Sequence, residues 1–86
     1  MRFETIFITE GNAGTPAAQI QFNGQRLCVV RFDSSGSPSI EFVLDTYVGR
    51  EVEMVFPVAE FQDTVQKAVR DLAAWIRDLP EERTEA

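Results

Sequence analysis

Residues 17–32, Ala17-Ala18-Gln19-Ile20-Gln21-Phe22-Asn23-Gly24-Gln25-Arg26-Leu27-Cys28-Val29-Val30-Arg31-Phe32, decide the fold. Apolar and polar side chains alternate through Ala18, Ile20 and Phe22, and a second extended run begins at Gln25. Asn23-Gly24 between two such runs predicts a two-residue hairpin, because both central positions of a type I′ turn need positive φ. With that turn, Ile20 falls opposite Leu27 and Ala18 opposite Val29. Outward from the hairpin, residues 2–9 (RFETIFIT) are β-branched and aromatic and read as a first strand, followed by a Gly, Asn and Pro loop over 10–16. On the other side, Asp33 to Pro38 turns the chain, and Ile40, Phe42 and Leu44 alternate along a fourth strand. Thr46 to Gly49 turns it again, and Val52, Met54 and Phe56 alternate on a fifth.

Past Pro57 the apolar period changes from two to 3.6. Val58, Phe61, Val65, Val69, Leu72, Ile76 and Leu79 recur at spacings of three and four, while Glu60, Asp63, Lys67, Arg70, Asp71, Ala74 and Asp78 take the opposite face. Pro57 suits the first helical position and Pro80 stops the helix. About 22 residues at 1.5 Å each make a rod of roughly 33 Å. The expectation is an α+β domain over residues 1–79: an antiparallel, curved sheet of four to five strands packed on one long C-terminal helix, in the order β-β-β-β-β-α. Residues 80–86 make a flexible acidic tail.

Alternation assigns the sheet faces. Ala18, Ile20, Leu27, Val29, Ile40, Phe42, Leu44, Met54 and Phe56 take the helix. The reverse face then carries Cys28, Val30, Phe32, Val43 and Val55 inside a margin of Gln19, Gln21, Arg26, Glu41, Glu51 and Glu53. An apolar centre within a polar rim describes a protein interface.

Composition excludes several chemistries. The chain has no histidine, which removes imidazole ligands and His-based nucleophilic systems, and its single cysteine closes no intrachain disulfide. No apolar run reaches the ~20 residues that span a bilayer, and no leader is read at Met1-Arg2-Phe3-Glu4. With one cysteine, a reducing cytoplasmic location is expected. The net charge is −6, and residues 1–56 and 57–86 contribute −3 each, so no basic block hides in the average. One lysine and seven scattered arginines do not make the clustered cations that grip phosphates.

Four motifs have a bland reading that outweighs the chemical one. Glu51 and Glu53 stand ~7 Å apart on one strand face, between the two glycosidase carboxylate spacings, but such pairs arise readily among fourteen acids. Gly11-Asn12-Ala13-Gly14 fits the GXXG of an RNA-clamping loop but is flanked by strands rather than helices. Cys28 reads as a small apolar residue. Trp75 lies at the edge of the helix stripe, where it seals a core margin. Arg26, Arg31 and Phe32 mix cation and aromatic ring on one strand, as single-strand binders do.

Asn23 to Phe32, as turn and strand, and Glu51 to Asp63, as last strand and helix start, together resemble the repeat unit of PUR-domain proteins and more distantly the Whirly-like single-strand binders, over roughly residues 17–79. The resemblance implies four curved strands then one helix, nucleic-acid binding on the sheet face at Arg26, Arg31 and Phe32, and dimerisation.

The reading that follows is a non-enzymatic binding module with no metal and no cofactor. It meets another protein with a basic surface through Glu41, Glu51, Glu53, Val30, Phe32 and Val43, in the manner of phage-type or mobile-element inhibitors that occupy nucleic-acid-binding surfaces. A PUR-like single-stranded nucleic-acid binder is the alternative. Trp75, Ile76 and Leu79 overhang the sheet, so either the first strand, through Phe3, Ile6 and Ile8, or a second copy must cover them. A homodimer at that helix end is the expectation.

Overall fold

Asn23 and Gly24 both adopt positive φ, 51° and 81°, and the two-residue turn forms where the sequence places it. Phe22 pairs with Gln25 and Gln21 with Arg26, but the next pairs are Ile20 with Cys28 and Ala18 with Val30. Leu27 is therefore an extra residue on one strand, a β-bulge. Because side chains alternate with a period of two, one extra residue turns everything beyond it to the other face. This corrects the predicted register: Cys28, Val30 and Phe32 lie under the helix, and Val29 and Arg31 lie on the open face.

The computed structural model describes residues 3–12, 14–43 and 55–78. Strands β1 (Phe3–Glu10), β2 (Thr15–Phe22), β3 (Gln25–Phe32) and β4 (Pro38–Phe42) form one antiparallel sheet in sequence order, and helix α1 (Val58–Arg77) closes the α+β fold. Register runs from Phe3 opposite Phe22 to Glu10 opposite Thr15 in the first pair, and from Cys28 opposite Phe42 to Phe32 opposite Pro38 in the last. Asp33 organises the turn before β4, its Oδ1 accepting from the Ser35 and Ser37 backbone N–H groups at 2.9 and 3.0 Å and from the Ser35 hydroxyl at 2.6 Å. Those bonds favour the ionised carboxylate and hold Asp33 below its usual range.

The sheet has four strands among the described residues. Of the expected fifth, residues 51–54 lie outside them, and Val55 and Phe56 are not in a strand. A hairpin with β4 through Thr46–Gly49 places Phe56 beside Ser39, at the level of Arg31. Its ring instead stands 4.9 Å from that of Phe22 and 5.0 Å from that of Phe3, at the Gln25 level. The two levels are six residues apart along β3, about 20 Å. Phe56 belongs to an aromatic knot with Phe3, Phe22 and Phe61 under the start of the helix. Those contacts hold Phe56 at the start of the helix, away from the place a hairpin with β4 gives it.

Pro57 precedes the helix rather than opening it: its backbone is extended, and its carbonyl accepts the Phe61 N–H at 3.2 Å. Ala68 and Leu72 are fully covered, and Phe61, Val65, Val69 and Trp75 pack half-buried on a core of Ala18, Ile20, Phe22, Leu27, Cys28 and Val30. The ends of the apolar stripe are open, with Val58 69% and Ile76 36% exposed. Leu79 and residues 80–86 lie outside the described residues. The helix packs on β1, β2 and β3. A helix about 10 Å wide spans two to three strands at 4.8 Å spacing, so β4 projects past it.

Candidate interaction surfaces

Two surfaces emerge from this frame, the open face of the sheet and the edge beyond the helix. On the open face the central group is Arg31. Its Nε and Nη2 donate to the two carboxylate oxygens of Glu10, at 2.9 and 3.0 Å, and its Nη1 donates to Oε1 of Glu41 at 2.8 Å. Strand pairing assembles the cluster: β1 ends on Glu10, and Glu41 stands across from Val29, beside Arg31. The bidentate fork is the strong form of a charge-assisted pair. Both carboxylates hold the guanidinium protonated, above arginine's ordinary range. Beneath it lie small apolar side chains. Val29 lies in the same hollow, and the register carries Arg31 across from Ala17, which is fully buried. The arginine stem thus serves as cover for two small apolar side chains.

Arg26 is exposed before the bulge and borders the hollow that Arg31 and Glu41 share. Arg26 and Arg31 are five residues apart, an odd spacing that puts them on opposite faces of a regular strand. The bulge at Leu27 brings them to one face. That spacing is the signal in the sequence for the bulge. Phe32 points to the helix side and is half-buried at the core margin, so the structure separates it from both arginines. Of the expected partner-binding residues, Glu41 is exposed and ion-paired and Val43 is half-buried. Val30 is 1% exposed and belongs to the core, while Glu51 and Glu53 lie outside the described residues.

At the helix end, Trp75 meets Phe7 edge-on at 6.0 Å, so the first strand reaches under it. The strand does so through Phe7, whereas Ile6 and Ile8 point to the open face. Ile76 borders a small apolar hollow with Phe32, Gly36 and Ala73. Cys28 is fully buried, and desolvation pushes its thiol up to about 11, which makes it inert. Among the described residues no group of three or more His, Cys, Asp or Glu is placed to hold a metal, and no helix is long and apolar enough to cross a membrane.

The second surface was not expected from the sequence, which puts Ile40 and Phe42 beneath the helix. They do project to the helix side, opposite Val30 and Cys28, but remain 39% and 51% exposed. Two adjoining hollows run between β4 and α1. One, of about 250 Å³, is lined by Val30, Pro38, Ile40, Val65 and Val69; the next, of about 420 Å³, by Ile40, Phe42, Phe61 and Val65. The width of one helix against four strands is the signal that could have shown this groove. The backbone of β4 has a definite phase. Val43 N–H donates to Leu27 C=O at 2.9 Å, so by antiparallel alternation Glu41 and Ser39 face β3, and Ile40 and Phe42 turn their N–H and C=O outward.

No family model matches the chain, and neither does any curated protein or any solved structure. What these surfaces can do rests on their own chemistry.

Proposed function

We propose that this chain is an acidic, non-enzymatic module that works by contact with protein. The observation that carries the reading is the closure of Arg31 by Glu10 and Glu41, with Phe32 on the other side of the sheet. A single-strand platform needs bases stacked on aromatic rings beside cations that meet phosphates. Here the central cation is already neutralised by two carboxylates, and the nearest ring on its strand packs toward the helix. Of the large apolar groups that reach solvent, Ile40 and Phe42 sit side by side on an edge strand beside a groove, which is a protein-binding arrangement. With a net charge of −6, encounters with basic protein surfaces are steered and those with nucleic acid are opposed, as suits an inhibitor-type module that occupies a basic surface.

Titration of fluorescent single-stranded DNA and RNA tests the reading. The expected result is binding no tighter than ~10⁻⁴ M at physiological salt, the weak end of nonspecific affinity. Submicromolar binding that weakens steeply with salt, and is lost on Arg26→Ala with Arg31→Ala, overturns it in favour of a PUR-like single-strand binder.

A further inference from the structure

We infer that the outer edge of β4 is a self-association surface, where a second copy of this chain adds its own β4 antiparallel across a two-fold axis at Ile40. The inference rests on the protein-contact reading above and deepens it. Among the described residues no strand pairs with that edge, and Ile40 and Phe42 point their backbone groups into it. With Ile40 opposite its own copy, each Ile40 N–H meets the other's C=O, and each Phe42 N–H meets the carbonyl of the partner's Pro38. Pro38 has no N–H to return to the partner's Phe42 carbonyl, so each end of the paired strands is joined by one bond rather than two, and four backbone bonds hold the pair.

Side chains agree with this register. Phe42, the more exposed of the pair, lies across from the partner's Pro38, the residue that borders the hollow of Val30, Ile40, Val65 and Val69. Each phenyl ring, stacked on Phe61 of its own chain at 6.3 Å, thus borders the other copy's groove and continues its apolar wall. On the open face Glu41 falls opposite Ser39 rather than opposite its own copy. Ser39 pairs with Arg31 across β3, so the partner's Glu41 enters the row that Arg31 occupies. Sliding the pairing so that the axis passes through Glu41 sets two carboxylates face to face, which is unfavourable. Charge therefore selects the same register as the apolar side chains. A five-residue strand makes a small interface, of the size found in transient complexes, so association belongs at tens of micromolar.

The test uses the full chain. Light scattering at about 1 mM, well above that range, is expected to approach twice the 9.7 kDa chain mass, falling to one chain mass for Phe42→Lys with an unchanged circular dichroism spectrum. Under mild oxidation Ile40→Cys is expected to form a covalent dimer and Glu41→Cys is not, since only position 40 meets itself at the axis. Native Cys28 is buried and stays out of the reaction. A single-chain mass overturns the inference. Protection of the Ile40 and Phe42 amides from hydrogen exchange would then show that the chain covers its own edge, and exchange at both would leave the edge for another protein. A dimer that survives Phe42→Lys, or that cross-links at 41 and not at 40, overturns it equally. The nucleic-acid titration is independent of these results, so the functional reading and this interface fail separately.

Discussion

Arg31 connects three strands, and its two partners are not equivalent. Glu10 receives two hydrogen bonds and its side chain is 32% exposed, whereas Glu41 receives one and is 68% exposed. Solvent screens the second pair much more than the first. Double-mutant cycles with Arg31→Gln are therefore expected to give a coupling of about 1 kcal/mol to Glu10→Gln and about 0.3 kcal/mol to Glu41→Gln, read from urea melts. Equal couplings would show that the bidentate fork has no special weight. Arg31→Gln alone should cost more than either coupling, because the shortened side chain also uncovers Ala17 and Val29. Of the two acids Glu41 is the more exposed and the more weakly held, so it is the one a basic protein reaches first.

At the scale of elements, the bulge at Leu27 decides which side chains meet the helix, and deletions can isolate its effect. Removing Leu27 restores a regular hairpin, keeps Ile20 opposite Cys28, and leaves Val30 and Phe32 facing inward. The loss is the burial of one leucine, about 2–3 kcal/mol, so the variant should fold with a lowered melting temperature. Removing Val29 leaves the bulge but reverses the strand after it, driving Arg31 toward the core and Val30 into solvent. That variant should show no cooperative thermal transition by circular dichroism. Two folded variants would mean that the register is not set here. The bulge was hard to see in the sequence because Leu27-Cys28-Val29-Val30 is apolar at four successive positions, and such a run carries no alternation from which to read a phase. By contrast, Asn23-Gly24 has one good conformational solution, and the stripe through Phe61, Val65, Val69 and Leu72 has one good period. Those elements were legible, and so were the four strands. Phe56 was misplaced because its alternation with Val52 and Met54 looks like a strand from inside the segment. The aromatic partners that claim it, Phe3 and Phe22, are far away in the chain. The same shift in register moves Cys28 and Val30, two residues of the apolar centre assigned to the open face, into the core and turns Phe32 to the helix side.

For the whole molecule, the net charge gives the two readings opposite salt dependence. Two copies that each carry −6 repel over distances comparable to their size when salt is low, since the Debye length is about 30 Å at 0.01 M. At about 1 M salt it shrinks to ~3 Å, and that long-range repulsion is gone. The attractive part of a β4 interface is backbone hydrogen bonding and apolar contact around Ile40 and Phe42, which mobile ions screen little. Self-association should therefore tighten several-fold across this range, measured by sedimentation equilibrium at fixed protein concentration. Nucleic-acid binding runs the other way, because each phosphate neutralised releases counterions and is weakened by added salt. Capture of a basic protein by the carboxylates also weakens with salt, for simple screening. The slope thus tells which surface is in use without knowledge of the partner. A dimer that falls apart as salt rises would be held by ion pairs such as Glu41 with Arg31 across the axis, and Phe42→Lys would then strengthen it by reducing the net charge. A dimer held at the apolar edge is instead lost in that variant at every salt concentration.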